Sequence, residues 1–145
     1  MPPFLLCADF GPPIFQPNQQ LPQSFTFPQP TGFDFFQLGG GPQWSVDNIA
    51  GPGSEQGLKF PPQGMEITLP ELERRVRMRI AAANGPVQIE ARDASGNTVS
   101  QKTVPDLDPN QFVNTTLSGP DKVIETVVLT TGGNEGYLRR ICVHV

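Results

Sequence analysis

The feature that most constrains the fold is the segment 74–80, in which charged and apolar side chains alternate strictly over residues 75–80 and every second position from 75 to 79 is arginine. Successive side chains of a β-strand point to opposite faces, so such a segment buries one face and exposes the other. Residues 87–92 alternate in the same way, with Gln88, Glu90 and Arg92 on the polar side. We interpret the two segments as a β-hairpin of a half-buried antiparallel sheet, with Glu90 and Arg92 facing the arginines.

An amphipathic helix is the alternative for residues 68–83. Thr68 and Glu71 have the spacing of a capping box, and Pro70 lies where the first turn would begin. Four apolar residues, Leu72, Val76, Ile80 and Ala83, would then share one helical stripe. We favour the strand because the segments before and after this stretch also alternate with a period of two.

The composition favours many short strands joined by turns, because 17 of the 145 residues are proline and 15 are glycine. Residues 58–60 and 65–69 are predicted to pair around a turn, and residues 94–97 to form another turn. The β-branched run at residues 123–131 predicts a central strand, and residues 43–56 predict a surface loop. The pattern as a whole predicts an all-β antiparallel sandwich of about eight to ten strands.

The length predicts a single domain, residues 1–145, large enough to bury about two-thirds of its unfolded surface. Composition changes near Pro70, because nine of the ten phenylalanines and thirteen of the seventeen prolines lie at or before it. We expect residues 58–145 to form a regular framework of hairpins. Residues 1–57 are expected to be extended strands and loops that wrap this framework.

The hairpin framework expected for residues 58–145 also resembles a known group of domains. The segments Leu58–Pro62, Gly64–Pro70, Arg75–Arg79, Gly85–Asn97 and Leu129–Leu138 are similar to bacterial jelly-roll β-sandwich domains of the galactose-binding-like, carbohydrate-binding-module type. The resemblance implies a jelly-roll fold and a mostly non-catalytic role in binding sugars or assembling with neighbours, with structural calcium in some members. The group has no universal binding signature, so the resemblance assigns no site residue. The first half of the chain departs from the pattern.

Two cysteines, Cys7 and Cys142, fall in the first and last predicted strands. They are either two buried thiols or a disulfide that joins the ends of the chain. A disulfide closing so long a loop would stabilise the fold by about 5 kcal/mol on the chain-entropy model, and it would indicate an oxidising compartment.

Composition and motifs disfavour several classes of protein. The net charge of −4 argues against a nucleic-acid binder, and no apolar run approaches the roughly 20 residues of a membrane span. The only histidine, His144, has no evident nucleophile as partner, and paired carboxylates and phosphate-binding loops are missing from the sequence. We therefore expect no enzyme. The first residues do not match a signal peptide, yet a disulfide and the resemblance favour an extracellular or cell-surface location.

The candidate ligand-binding residues are three arginines and two aromatic residues. Arg75, Arg77 and Arg79 are expected to stand about 7 Å apart on one sheet face, where they would bind an anionic polymer or sulfated or uronic sugars. The alternatives for this row are a solvated, ion-paired face or a subunit interface. Trp44 and Tyr137 would each either stack on a sugar ring or plug the end of the sandwich.

A calcium site is conceivable at Asp106, Asp108 and Asn110, because oxygen ligands on alternate residues suit this ion. An Asx-rich turn is the simpler interpretation, since Pro109 intervenes and the glycine and distal glutamate of an EF-hand are missing. We expect no other cofactor.

Two functional hypotheses follow. The first is a non-catalytic binding module, with a carbohydrate as ligand. The second is a structural subunit that assembles with copies of itself into a filament, shell or surface layer, because the Phe/Pro-rich first half has more apolar surface than a monomer needs.

Overall fold

A computed structural model describes residues 5–12, 14–16, 18–28, 32–38, 44–49, 55–60, 63–82, 85–105, 112–131 and 136–144. In these ranges the chain forms thirteen β-strands and no α-helix, which confirms the predicted all-β class. The strands are β1 Leu5–Asp9, β2 Gln19–Gln20, β3 Ser24–Phe27, β4 Phe33–Gln37, β5 Ser45–Asn48, β6 Gln56–Phe60, β7 Met65–Glu73, β8 Arg75–Ala82, β9 Val87–Arg92, β10 Thr98–Val104, β11 Val113–Ser118, β12 Ile124–Thr130 and β13 Gly136–His144.

The strands form two antiparallel sheets that make a sandwich. The seven-stranded sheet has the order β11-β8-β13-β6-β5-β2, and β1 also pairs with β13. The six-stranded sheet has the order β10-β9-β12-β7-β4-β3. The β-branched run became β12, which lies between β9 and β7, so its predicted central position is confirmed.

The predicted hairpin between residues 74–80 and 87–92 is wrong. Strand β8 pairs with β11 and β13, whereas β9 pairs with β10 and β12 in the opposite sheet. Glu90 and Arg92 therefore do not face the arginines. The reason is that alternation determines which side chains are buried but not which strand is the neighbour, and both sheets need an apolar inner face.

The predicted pair of residues 58–60 and 65–69 is wrong in the same way, because β6 belongs to the seven-stranded sheet and β7 to the six-stranded sheet. Gly64 precedes β7 with a φ of +92°, and a Cβ there would lie 1.8 Å from the carbonyl oxygen of Leu129. This crossing therefore needs glycine. By contrast, β9 and β10 do form a hairpin around residues 94–97, as predicted.

The helix considered for residues 68–83 does not form. Strands β7 and β8 occupy this region and are separated only by a bend at Arg74. In β8 the inward side chains Val76, Met78 and Ile80 are at most 2% exposed, while Arg75 and Arg77 are exposed. The alternation thus has the predicted physical meaning, with aliphatic side chains inside and arginines outside.

The phenylalanines of the first half build one end of the core. Phe10 is fully buried, and its ring centroid lies 5.1–6.2 Å from four other phenylalanine rings, those of Phe15, Phe25, Phe27 and Phe35. Strands from the first half belong to both sheets rather than only wrapping a framework. Most of the apolar surface that suggested self-assembly is therefore internal in the described residues, although Phe36 is 46% exposed.

Candidate functional site

The outer face of the seven-stranded sheet carries the arginines of β8. Cross-strand partners share a face, so a row of side chains runs across β11, β8, β13 and β1. From β11 to β1, the central row is Thr116, Arg77, Cys142 and Cys7. Arg75 lies two positions from Arg77 on the same strand, about 7 Å away.

A depression with a volume of about 650 Å³ is centred on this row. Three arginines, four neutral polar residues, Met78 and the cysteines of the central row line it. The arginines and neutral polar residues are Arg75, Arg77, Arg140, Asn114, Thr115, Thr116 and Ser118. We call them and their surface the basic depression. Among the described residues that line it, none is a carboxylate and none is aromatic.

The neighbouring row consists of Asn114, Arg79, Arg140 and Asp9, and ion pairs dominate it. Glu55 accepts two hydrogen bonds from Arg79, of 2.6 Å from Nε and 2.8 Å from Nη2. The Arg79 guanidinium also lies 5.8 Å from the ring centroid of Phe112. The Arg79 side chain is thus engaged by other residues of the chain, unlike that of Arg77 in the central row.

Arg139 extends this network, because it contacts both acidic residues. Its Nε donates to Asp9 Oδ1 at 2.8 Å, and its Nη1 lies 3.4 Å from Glu55 Oε2. Arg140 is held more loosely, with its Nη1 3.8 Å from Asp9 Oδ2. Arg139 sits where the register of β13 against β8 shifts, so that this strand contributes one extra residue there.

Hydrogen bonding in this network shifts the pKa of two groups. The bidentate bond from Arg79 holds the pKa of the Glu55 carboxyl below its usual range, and the charges of Arg79, Arg139 and Arg140 act in the same direction. The same bond raises the pKa of Arg79. Glu55 therefore stays ionised at neutral pH and keeps Arg79 neutralised.

Arg75 and Arg77 differ from Arg79, because neither forms an ion pair with a residue in the described part of the chain. Both side chains are exposed. Of the three predicted arginines, Arg75 and Arg77 are therefore open to a ligand, whereas Arg79 is engaged in a structural ion pair.

Cys7 and Cys142 form a disulfide, so that interpretation of the two cysteines is confirmed. They are direct cross-strand partners on β1 and β13, and they close a loop with a sequence separation of 135. The disulfide lies in the wall of the basic depression. It fixes β1 beside the strand that carries Arg140.

Trp44 lies in the core and not in a surface loop. It is 3% exposed, its ring lies 5.6 Å from that of Phe25, and its Nε1 donates to the carbonyl of Pro22 at 2.6 Å. The predicted loop is wrong as well, because Ser45–Asn48 is strand β5. Trp44 is thus buried, as expected from the alternative in which it closes the end of the sandwich, and its ring offers no face to a ligand.

Tyr137 is also buried, at 6% exposure. It is the cross-strand partner of Ala81 on the outer face of the seven-stranded sheet, where Phe112 covers both residues. This small apolar cluster borders the ion-paired row. The stacking surface that the sequence suggested for Tyr137 is therefore occupied by the protein itself.

The predicted calcium ligands Asp106, Asp108 and Asn110 lie outside the described residues. Within the described residues, no group of three or more histidine, cysteine or acidic side chains is arranged to hold a metal ion. The structure also contains, in those same ranges, no helix long and apolar enough to cross a bilayer.

No protein-family model and no curated protein matches this chain. Among solved structures, a family 29 carbohydrate-binding module matches with a TM-score of 0.56 and 12% identity, over 97% of this chain and 92% of the module. A cleaved adhesin domain of Lys-gingipain from Porphyromonas gingivalis matches with a TM-score of 0.52 and 12% identity, over 96% of each chain. A DUF4465 family protein from Bacteroides caccae matches with a TM-score of 0.56 and 11% identity, over 99% of this chain and 93% of that protein.

At these identities the likeness shows a shared fold. The chain has the β-sandwich fold of carbohydrate-binding modules and adhesin domains, which confirms the fold expected from residues 58–145. The matches also span the Phe/Pro-rich first half, which the resemblance noted from the sequence did not cover.

Sequence reasoning missed the partners of the arginine row. In the sequence, Arg140 stands out only as the neighbour of Arg139, and Glu55 lies 24 residues from Arg79. The polar residues at positions 114, 116 and 118 have the spacing of one strand face, which was a usable signal for the side of the depression formed by β11.

Proposed function

We propose that this protein is a non-catalytic carbohydrate-binding module that binds its ligand in the basic depression. The observation that supports this most strongly is the exposure of Arg75 and Arg77 in a concave surface without acidic partners among the described residues. Guanidinium groups and hydroxyl groups that converge on a cavity are the usual means of orienting a polar ligand.

The ligand contacts in this proposal are Arg75, Arg77 and Arg140, with Thr116 and Ser118 as neutral hydrogen-bonding partners. Trp44 and Tyr137 are not included, since both are buried. Arg79 contributes by holding the rim of the depression through Glu55. The solved carbohydrate-binding module with the same fold supports the class of ligand by analogy only.

We propose an extracellular or cell-surface location. The support is the disulfide between Cys7 and Cys142, since such bonds persist in oxidising compartments. Assembly with copies of itself stays a prediction, and light scattering of the purified protein at high concentration tests it.

A glycan array containing neutral and acidic glycans tests the proposed function. We expect the protein to bind at least one class of glycan. The double variant R75A/R77A should bind about a hundredfold more weakly or worse, because it loses at least two charge-assisted hydrogen bonds at roughly 1.5–3 kcal/mol each. Absence of binding to every glycan on the array would contradict the proposal.

The matched control is the double variant R92A/K102A, which removes the same number of positive charges from the six-stranded sheet. It should bind as the unmodified protein does. An equal loss in both double variants would mean that net charge, and not the basic depression, determines binding.

A further inference from the structure

We infer that the ligand of the basic depression is an acidic glycan, one whose sugar units carry carboxylate or sulfate groups. This inference rests on the proposed function and narrows its ligand class. It follows from the balance of charge, from the distribution of hydroxyl groups and from the absence of a stacking surface in the described wall.

The charge balance of the depression is positive because the nearby acidic residues are already engaged. Glu55 is bound by Arg79 at 2.6 and 2.8 Å, and Asp9 is bound most closely by Arg139 at 2.8 Å. Arg75 and Arg77 remain without an acidic partner in the described residues. A ligand with negative groups would supply the missing counter-charges, and guanidinium forks bind carboxylate or sulfate oxygens in pairs.

The second argument is the neutral side of the depression. Thr116 is the cross-strand partner of Arg77, and Ser118 is the partner of Arg75. Each open guanidinium thus has a hydroxyl group beside it on β11, at a cross-strand Cβ separation of about 5 Å. This pairing suits a sugar unit, which offers hydroxyl groups next to its acidic group.

The third argument is the lining itself. A neutral sugar ring is bound well when its apolar face stacks on an aromatic side chain, and the described lining of the depression contains no aromatic residue. The same feature disfavours single-stranded nucleic acid, whose bases need stacking platforms.

Calorimetric titrations with matched polymers test this inference. The probes are dextran sulfate with plain dextran, polygalacturonate with its carboxyl-reduced form, and inorganic polyphosphate as a glycan-free polyanion. We expect at least one acidic glycan to bind about tenfold or more tightly than its uncharged counterpart, since one bidentate contact corresponds to at least that factor. The pair that shows the difference identifies sulfate or carboxylate as the recognised group.

Three variants locate the effect. In R75A/R77A the preference for the acidic polymer should disappear, while R92A/K102A should keep it. The variant T116V keeps the shape of the side chain and removes its hydroxyl, so it should weaken acidic-glycan binding about threefold or more while leaving polyphosphate binding unchanged.

The outcomes separate the two proposals. If an uncharged glycan binds as tightly as its acidic counterpart, the carbohydrate-binding function stands and the acidic ligand class is wrong. If polyphosphate binds as tightly as the acidic glycans and T116V has no effect, the site is a general polyanion site and the inference is overturned. If no polymer binds and the glycan array is also negative, both proposals fall.

Discussion

The outer faces of the two antiparallel sheets differ in their surface chemistry. On the seven-stranded sheet, arginines of β8 and β13 surround a depression. On the six-stranded sheet, Val128 lies between Glu66 and Glu90, and Thr126 lies between Thr68 and Arg92. Arg92 is neutralised within its own strand, with its Nη2 2.6 Å from Glu90 Oε2.

This difference teaches that the alternation of a strand determines its inner face and leaves the chemistry of its outer face open. Both sheets bury aliphatic side chains on their inner faces, whereas their outward side chains differ. Positive charge gathered on one face and left unpaired is therefore informative about function, whereas the alternation itself is informative only about fold.

The largest effect should come from the disulfide, which only the seven-stranded sheet has among the described residues. The double variant C7S/C142S should lose up to about 5 kcal/mol of unfolding free energy, because the 135-residue separation makes the constraint on the unfolded chain large. Urea unfolding of the oxidised protein and the variant measures this. A reductant should affect the first and not the second, and equal stability of both would show that β1 needs no covalent tether.

A smaller effect is expected for the ion pair beside the depression. The variant E55Q should lose about 1–2 kcal/mol at pH 7, because Arg79 and Arg139 lose their shared partner. The folded-state pKa of Glu55 is lowered, so this stabilisation is present above the ordinary glutamate pKa of about 4.3 and is lost as the pH falls through the folded-state pKa. Unfolding curves at pH 7 and pH 3 should therefore differ for the unmodified protein more than for E55Q.

The control for this experiment is E66Q on the six-stranded sheet, since Glu66 forms no ion pair with a described residue. It should change stability by less than about 0.5 kcal/mol at either pH. A loss equal to that of E55Q would show that the network contributes nothing specific.

The smallest effect, and one of opposite sign, is expected at Glu73, which ends β7 of the six-stranded sheet and is 5% exposed. Burial raises the pKa of this carboxyl, and the nearby charge of Glu71 adds to the shift. Ionised Glu73 therefore costs stability at neutral pH, and this cost vanishes as the pH falls below about 4.3. The variant E73Q should gain about 1 kcal/mol at pH 7 and nothing at pH 3. A loss of stability at pH 7 would contradict this assignment.

Particular residues show how far the sequence could lead. The Arg/apolar alternation of β8 correctly predicted its buried and exposed faces, because that inference needs only the period of a strand. The same alternation could not reveal that β9 lies in the other sheet, since strand pairing depends on contacts distant in sequence. Trp44 was misplaced for a related reason: its polar and glycine-rich flanks hid a short strand, and its burial depends on Phe25 and Pro22.

The candidate site was predicted only in part. Arg75 and Arg77 were identified from the sequence, whereas Arg140 enters the depression through the pairing of β13 with β8. The engagement of Arg79 by Glu55 joins residues that no local pattern connects. A row of like charges on a strand can be predicted from the sequence, but the residues that neutralise it are brought close only by the tertiary structure.

The most direct test of the central claim is an amide NMR titration of the unmodified protein with dextran sulfate. Chemical-shift changes should concentrate on β8, β11 and β13, with the largest near Arg77 and Thr116, and should leave β9, β10 and β12 unchanged. Changes concentrated on the six-stranded sheet, or spread evenly over both sheets, would contradict the claim that the basic depression is the binding site.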